Sequence, residues 1–247
     1  MIFEIQNIWL FLSLLPIIAF LYASVGHGGA SGYLALMALF SFAPAAMKPT
    51  ALLLNLFVAG IAFFHYYKAG HFNKKLFLAF AISSIPLAFL GGMIAVETSL
   101  YKTILGVLLI FAILKMLNVF GAESATIKAV KLWQGLLVGA AIGFFSGLIG
   151  IGGGIILTPV ILLLHWGKMK EAAAVSALFI WANSAAGLIG QLSSGVSIEA
   201  DSFILVAIAF AGGFFGSYYG SKRLNNKLLR YILAFVLTIA SAKLIFT

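Results

Sequence analysis

The chain of 247 residues is 63% hydrophobic and 9% charged, which leaves too little polar surface to meet water and excludes a soluble domain. Cysteine is absent, so disulfides, thiolate metal sites and cysteine nucleophiles are excluded. The net charge of +9 does not indicate nucleic acid, because the basic residues fall in short loops between apolar runs, where they set orientation.

In chain order, apolar runs fall at 5–25, 30–43, 50–67, 75–96 and 99–118, then at 132–149, 155–166, 171–191, 201–219 and 227–246. Segments of about 20 residues match the thickness of a hydrocarbon core, and lipid admits only helices or closed barrels. The runs lack the alternation of a barrel strand. They predict an all-α integral membrane protein of about eight to ten segments. The first run follows Met1-Ile2-Phe3-Glu4 with no basic stretch, so a cleaved signal peptide is not expected.

Two glycine clusters divide the chain into similar halves. Gly26-His27-Gly28-Gly29-Ala30-Ser31-Gly32 opens the second run, and Gly150-Ile151-Gly152-Gly153-Gly154 lies 150 − 26 = 124 residues later before the seventh. Near that offset Gly70 meets Gly195, and the Gly91-Gly92 turn region meets Gly216. Leu114 to Leu117 also resembles Ala242 to Ile245, with an insertion near Lys222 to Asn226. The polar stretch between the halves marks a joint between duplicated units. The expected domains are an N-terminal repeat at 1–120, a linker at 121–131 and a C-terminal repeat at 132–247.

Five segments per repeat would invert the second copy. With the N-terminus outside, twelve of the fifteen basic residues lie inside, among them Lys68, Lys74, Lys75, Lys168, Lys170 and Lys222, while Lys48, Lys102 and Lys243 lie outside. Four crossings per copy would split the fifteen eight to seven, so the positive-inside rule favours the odd count and two inverted-topology repeats. Matching loops trade sign, since basic Lys68 to Lys75 aligns with Ser193 to Asp201, which carries Glu199 and Asp201. Both termini are expected outside a multi-pass cell membrane.

The stretches after the glycines are too short to span, so each cluster predicts a glycine-interrupted helical hairpin that either crosses on a tilt or dips in and returns. Backbone exposed at depth is tolerated only against protein or an aqueous cavity. Glycine lets a ligand approach the amides, and the start of the following helix offers free N–H groups and a positive dipole end to an anion. The candidate binding residues are Gly26, His27, Gly28, Gly29 and Ser31 in the first half, and Gly150, Gly152, Gly153, Gly154 and Thr158 in the second. Asn55 and Asn183, one helical turn apart when the halves are aligned, join them as hydrogen-bonding groups within the third segments. Isolated Gly60, Gly106, Gly139 and Gly187 fit close helix packing instead. His65, His71 and His165 lie near segment ends, Lys115 and Lys243 are placed to snorkel, and Gln191 is a weaker candidate. No acidic residue lies mid-segment, so a cation relay has no obvious carrier, and neither a metal site nor a cofactor is expected.

The motifs Gly-His-Gly-Gly at 26–29 and Gly-Ile-Gly-Gly-Gly-Ile-Ile-Leu-Thr-Pro at 150–159 resemble the TauE/SafE family of sulfite exporters and related anion permeases, over essentially the whole chain. Ala30 departs from the pattern where a third glycine is expected. The resemblance implies transport of sulfite, thiosulfate or organosulfonates across the bacterial cytoplasmic membrane. The residues themselves indicate a small anion, carried by a secondary transporter through alternating access. A passive anion channel is the nearest alternative. An intramembrane serine protease, suggested by Gly29-Ala30-Ser31-Gly32, would need a histidine beside Ser31, so the chain is not expected to be an enzyme.

Overall fold

The computed structural model describes residues 7–97 and 127–222, with positions 99–101, 103, 104, 106, 107, 110, 114 and 238. Its helices are α1 (Ile8–Ala23), α2 (Ala30–Leu39), α3 (Pro44–Lys68), α4 (Lys74–Met93), α5 (Leu132–Ile149), α6 (Gly154–Leu163), α7 (Met169–Ser193) and α8 (Ser202–Lys222). Regular structure among the described residues is helical throughout, as expected where every backbone donor must be satisfied within its own segment. Among the described residues five helices, α3, α4, α5, α7 and α8, are long and apolar enough to cross a membrane. Most of the segments expected at 99–118 and 227–246, and most of the linker, lie outside the described residues.

The boundaries differ from the apolar runs for local reasons. Helix α3 starts at Pro44 rather than at residue 50, because proline suits the first helical position, and it carries Pro49 inside its N-terminal part. The short helices end at Leu39 and Leu163. Each is closed in the same way: Ser41 and His165 take φ values of 61° and 58°, and Phe42 N and Trp166 N donate back to Met37 O and Ile161 O. At 10 residues each, α2 and α6 are roughly 15 Å long and cannot span. Helices α3 and α7 also end alike, with His71 N on Tyr66 O and Val196 N on Gln191 O.

Helices α3 and α7 cross at the centre of the molecule. Helix α4 packs on α5 and α7, and α8 packs on α1 and α3, while α2 rests on α3 and α6 on α7. Exchanging α1 to α4 with α5 to α8 maps this set of pairings onto itself. Both outer pairings depend on small residues. On α5, methyl groups added to Gly135, Gly139, Gly143 and Gly147 would meet the Ala79, Phe80, Ser84 and Ala88 carbonyls of α4, and on α8 Gly212, Gly216 and Gly220 stand equally close to those of Pro16, Phe20 and Ser24 on α1. Repetition every fourth residue lets one helix lie backbone to backbone on the next, the usual arrangement where lipid supplies no hydrophobic drive for helix association. Gly91 and Gly92, expected at a turn, are instead helical residues at the end of α4 that press on the Phe144 and Gly187 carbonyls. Large apolar side chains such as Trp9, Leu137 and Phe215 point outward, which suits a surface facing lipid.

Candidate functional site

The first glycine turn joins α1 to α2, and the second joins α5 to α6. Gly26 and Gly150 have φ values of 77° and 87°, and the N-cap residues Gly29 and Gly153 have 101° and 79°. These are left-handed conformations that a side chain strains. The turns differ at their middle glycine, since Gly152 is left-handed and Gly28 is not. Both turns are buried.

The two turns meet on Asn55. Its Oδ1 accepts the Ala30 amide at 3.1 Å, and its Nδ2 donates to Ser184 Oγ on α7 at 3.1 Å. A methyl group on Gly28 would run into Asn55 Oδ1, and one on Gly152 would sit 2.6 Å from Asn55 Nδ2; both would also touch Ile180. Asn55 and Ile180 occupy matching places on α3 and α7. This exchange accounts for the departure at Ala30. In the first half a small Ala30 binds an asparagine, whereas in the second half Ile180 fills the space that a methyl group on Gly154 would need.

The Ala30 amide is taken by Asn55. The amides of Gly28, Gly29, Ser31, Gly152, Gly153 and Gly154 find no acceptor among the described residues. Helix starts leave such donors free, and their dipole favours negative charge. Two buried hydroxyls beside the N-cap glycines also have no hydrogen-bond partner among the described residues: Tyr33 Oη, 2.6 Å from where a methyl group on Gly29 would lie, and Ser146 Oγ, whose Cβ is 3.4 Å from the same point on Gly153. Neither was singled out from the sequence. Each looks there like an ordinary residue of an apolar helix, and only its helix face and missing partner mark it. A buried hydroxyl without a partner costs about 1–3 kcal/mol, so two of them at equivalent glycines need a reason to be there.

The remaining expected residues are placed as follows. His27 is buried, with Nδ1 3.0 Å from Val25 O and Nε2 3.2 Å from Thr158 Oγ1, so it links the first turn to α6; Thr158 in turn bonds Ser176 Oγ at 2.8 Å. Ser31 Oγ donates to Tyr22 Oη at 2.9 Å rather than to a histidine, the contact a serine nucleophile would need. Asn183 is buried on α7 but faces α4, where its Oδ1 accepts from Ser84 Oγ at 2.8 Å and its Nδ2 has no partner. It is not brought together with Asn55. Gln191 is buried with its amide unpartnered further along α7. His65 binds Ser217 Oγ on α8 at 2.7 Å. Lys48, read from the sequence as a loop residue, lies in the first turns of α3. Its stem packs on Gly150, and its Nζ reaches Gly92 O and Ile94 O, each at 3.4 Å. Among the described residues no cluster of His, Cys, Asp or Glu is arranged to hold a metal ion.

The family model of the sulfite exporter TauE/SafE matches residues 11–244. A probable membrane transporter protein of Sinorhizobium fredii is 39% identical over 236 residues, covering 93% of this chain and 94% of its own length. A probable membrane transporter protein of Methanocaldococcus jannaschii is 29% identical over 137 residues, covering 54% of this chain and 51% of its own. No solved structure matches the chain significantly. The helical membrane fold and the match across almost the whole sequence lead to one assignment: the chain belongs to the TauE/SafE sulfite exporter family of membrane transporters.

Proposed function

We propose that the protein is a secondary transporter of a small sulfur oxyanion, such as sulfite, thiosulfate or a short organosulfonate, bound where the two glycine turns meet. The observation that carries this reading is the pair of left-handed N-cap glycines, Gly29 and Gly153, which open two short helices onto Asn55 with their neighbouring amides free. A sulfur oxyanion accepts several N–H and O–H donors at once, and these amides with Tyr33 Oη and Ser146 Oγ supply them without a fixed positive charge. Gly26, His27, Gly28, Ser31, Gly150, Gly152, Gly154, Asn55 and Thr158 complete the turns and their supports. Asn183 stands outside this set, as a lock between α4 and α7.

Residues 1–120 and 132–247, joined by 121–131, are the two inverted repeats in this reading. The self-matching helix pairings and the repeated turn hydrogen bonds support it. Rocking of one repeat on the other would expose the turns to each side of the cytoplasmic membrane alternately, with both termini outside. The test is to reconstitute the protein and follow sulfite and thiosulfate flux before and after Gly28→Leu and Gly153→Leu. Loss of saturable, counterflow-competent flux in variants that remain folded is expected. Unchanged flux would remove the glycine site, and currents far above carrier turnover would replace the carrier with a passive channel.

A further inference from the structure

Away from the glycine turns, the α3–α4 loop and the start of α7 form an open cleft of about 760 Å³ lined by Gly70 to Lys75 and Lys168 to Glu171. Lys74, Lys75, Lys168 and Lys170 all belong to this lining, and none of them makes an ion pair among the described residues. The one carboxylate, Glu171, is already engaged: Oε1 accepts from Asn73 Nδ2 at 2.5 Å and Oε2 from the Lys168 amide at 3.4 Å. Asn73 Oδ1 also caps α4 through the Leu76 amide at 3.0 Å. The N-terminal ends of α4 and α7 are therefore tied side by side; of the lysines around them Lys170 donates to Ser221 O at 3.2 Å, while Lys74, Lys75 and Lys168 have no counter-charge among the described residues.

The cleft shares helix α7 with the turns. Phe72, in its lining, packs in one cluster with Tyr66, Ala173 and Ala174, and Ala173 is the residue on which Gly26 rests. Further along α7, Ser176 meets Thr158, Ile180 meets Gly28 and Gly152, and Ser184 meets Asn55. From Lys170 to Ile180 the helix advances roughly 15 Å. One helix thus runs from the lysine cleft to both glycine turns.

We propose that this cleft is a second anion site, a vestibule that collects a small free oxyanion on the basic face of the membrane and passes it along α7 to the glycine turns. Its role in transport rests on the transport reading above; its capacity to bind an anion does not. A cleft where charge of one sign predominates, here four lysines against Glu171, raises encounter rates by about 10- to 1000-fold at most, and salt weakens the effect. Anionic lipid headgroups carry the same oxyanion chemistry. The free anion is favoured because α7, whose first turn lines the cleft, also carries Ser176, Ile180 and Ser184, which contact the residues of both turns.

The experiment uses full-length protein in nanodiscs of phosphatidylcholine alone and of phosphatidylcholine with phosphatidylglycerol. Lysines are acylated with acetic anhydride, with and without sodium sulfate at matched ionic strength, and modification at each site is read by mass spectrometry. Sulfate is expected to slow acylation of Lys74, Lys75, Lys168 and Lys170 at least about threefold relative to Lys68 and Lys222, whose ammonium groups lie over the Phe64 and Tyr218 rings. The protection should be the same in both lipids. Equal protection at the two control lysines, or protection only with phosphatidylglycerol, overturns the vestibule. In proteoliposomes at low salt, the quadruple Lys→Gln variant is expected to lower kcat/KM for thiosulfate at least about tenfold with kcat preserved. Absence of flux in the unsubstituted protein with the footprint intact would defeat the transport reading and leave the anion site standing. Normal, equally salt-sensitive flux in the quadruple variant would defeat the vestibule.

Discussion

Asn55→Asp places a charge where the two turns meet while nearly preserving shape. One oxygen can still accept the Ala30 amide at 3.1 Å, and Ser184, which now accepts at 3.1 Å, can turn its hydroxyl to donate. An oxyanion held by the amides of Gly28 and Gly152 would lie about 4 Å from the new carboxylate, where two unit charges interact with about 4 kcal/mol at an effective dielectric of 20. Affinity for thiosulfate, a dianion, should therefore fall at least about a thousandfold when the side chain is ionised. Burial and the neighbouring anion both favour its neutral form, so affinity should return as pH is lowered. Thiosulfate suits the measurement because its own charge stays constant over the useful pH range. Binding is read by thermal shift in detergent, and flux by counterflow in proteoliposomes. Asn183→Asp, equally buried but facing Ser84 on α4, should change affinity far less. Wild-type affinity in folded Asn55→Asp at every pH would refute the placement of the anion between the turns.

Tyr33→Phe removes a buried hydroxyl that has no partner among the described residues, so thermal stability should hold or rise while thiosulfate affinity falls about tenfold or more, the worth of a hydrogen bond to a charged group. Gly139→Ala, whose methyl group would run into Phe80 O, should destabilise by about 1–3 kcal/mol in thermal unfolding. Gly60→Ala, whose methyl group would meet only Trp181 at 3.3 Å, should cost less. Burial, and secondly Lys170, hold His71 below its ordinary pKa of 6.5, so the unfolded chain takes up the proton first. Stability should then fall as pH drops below 6.5, and His71→Gln should lessen that fall in unfolding scans over pH.

The turn glycines were legible because their constraint is local. At Gly26, Gly29, Gly150 and Gly153 the backbone is left-handed, and almost no other residue serves there, so the requirement is written into the letters at a fixed spacing. The exchange of Asn55 with Ile180 was not legible, since it depends on which face of α3 and α7 looks inward. That fact also explains why Ala30 stands where Gly154 does. Asn183 lies next to Ser184, yet one step along a helix turns it by about 100° toward α4. Tyr33 and Ser146 carried no signal, because an unmet hydrogen bond is a property of packing. The pair Gly91-Gly92 read as a turn for the reason that glycines break soluble helices; beside the Phe144 and Gly187 carbonyls their missing side chains serve close approach instead. Lys48 read as a loop residue because the apolar run begins at residue 50, whereas α3 reaches back to Pro44 and carries Pro49 within its first turns.

Amide chemical shifts of selectively 15N-glycine-labelled protein in nanodiscs, followed during a thiosulfate titration, test the site most directly. Saturating shifts at Gly28, Gly29, Gly152 and Gly153 with one common Kd are expected. Gly70 and Gly195, left-handed glycines with open space around them, should stay still. Shifts absent from both turns, or equally large at Gly70 and Gly195, would contradict the binding of the anion by the glycine turns.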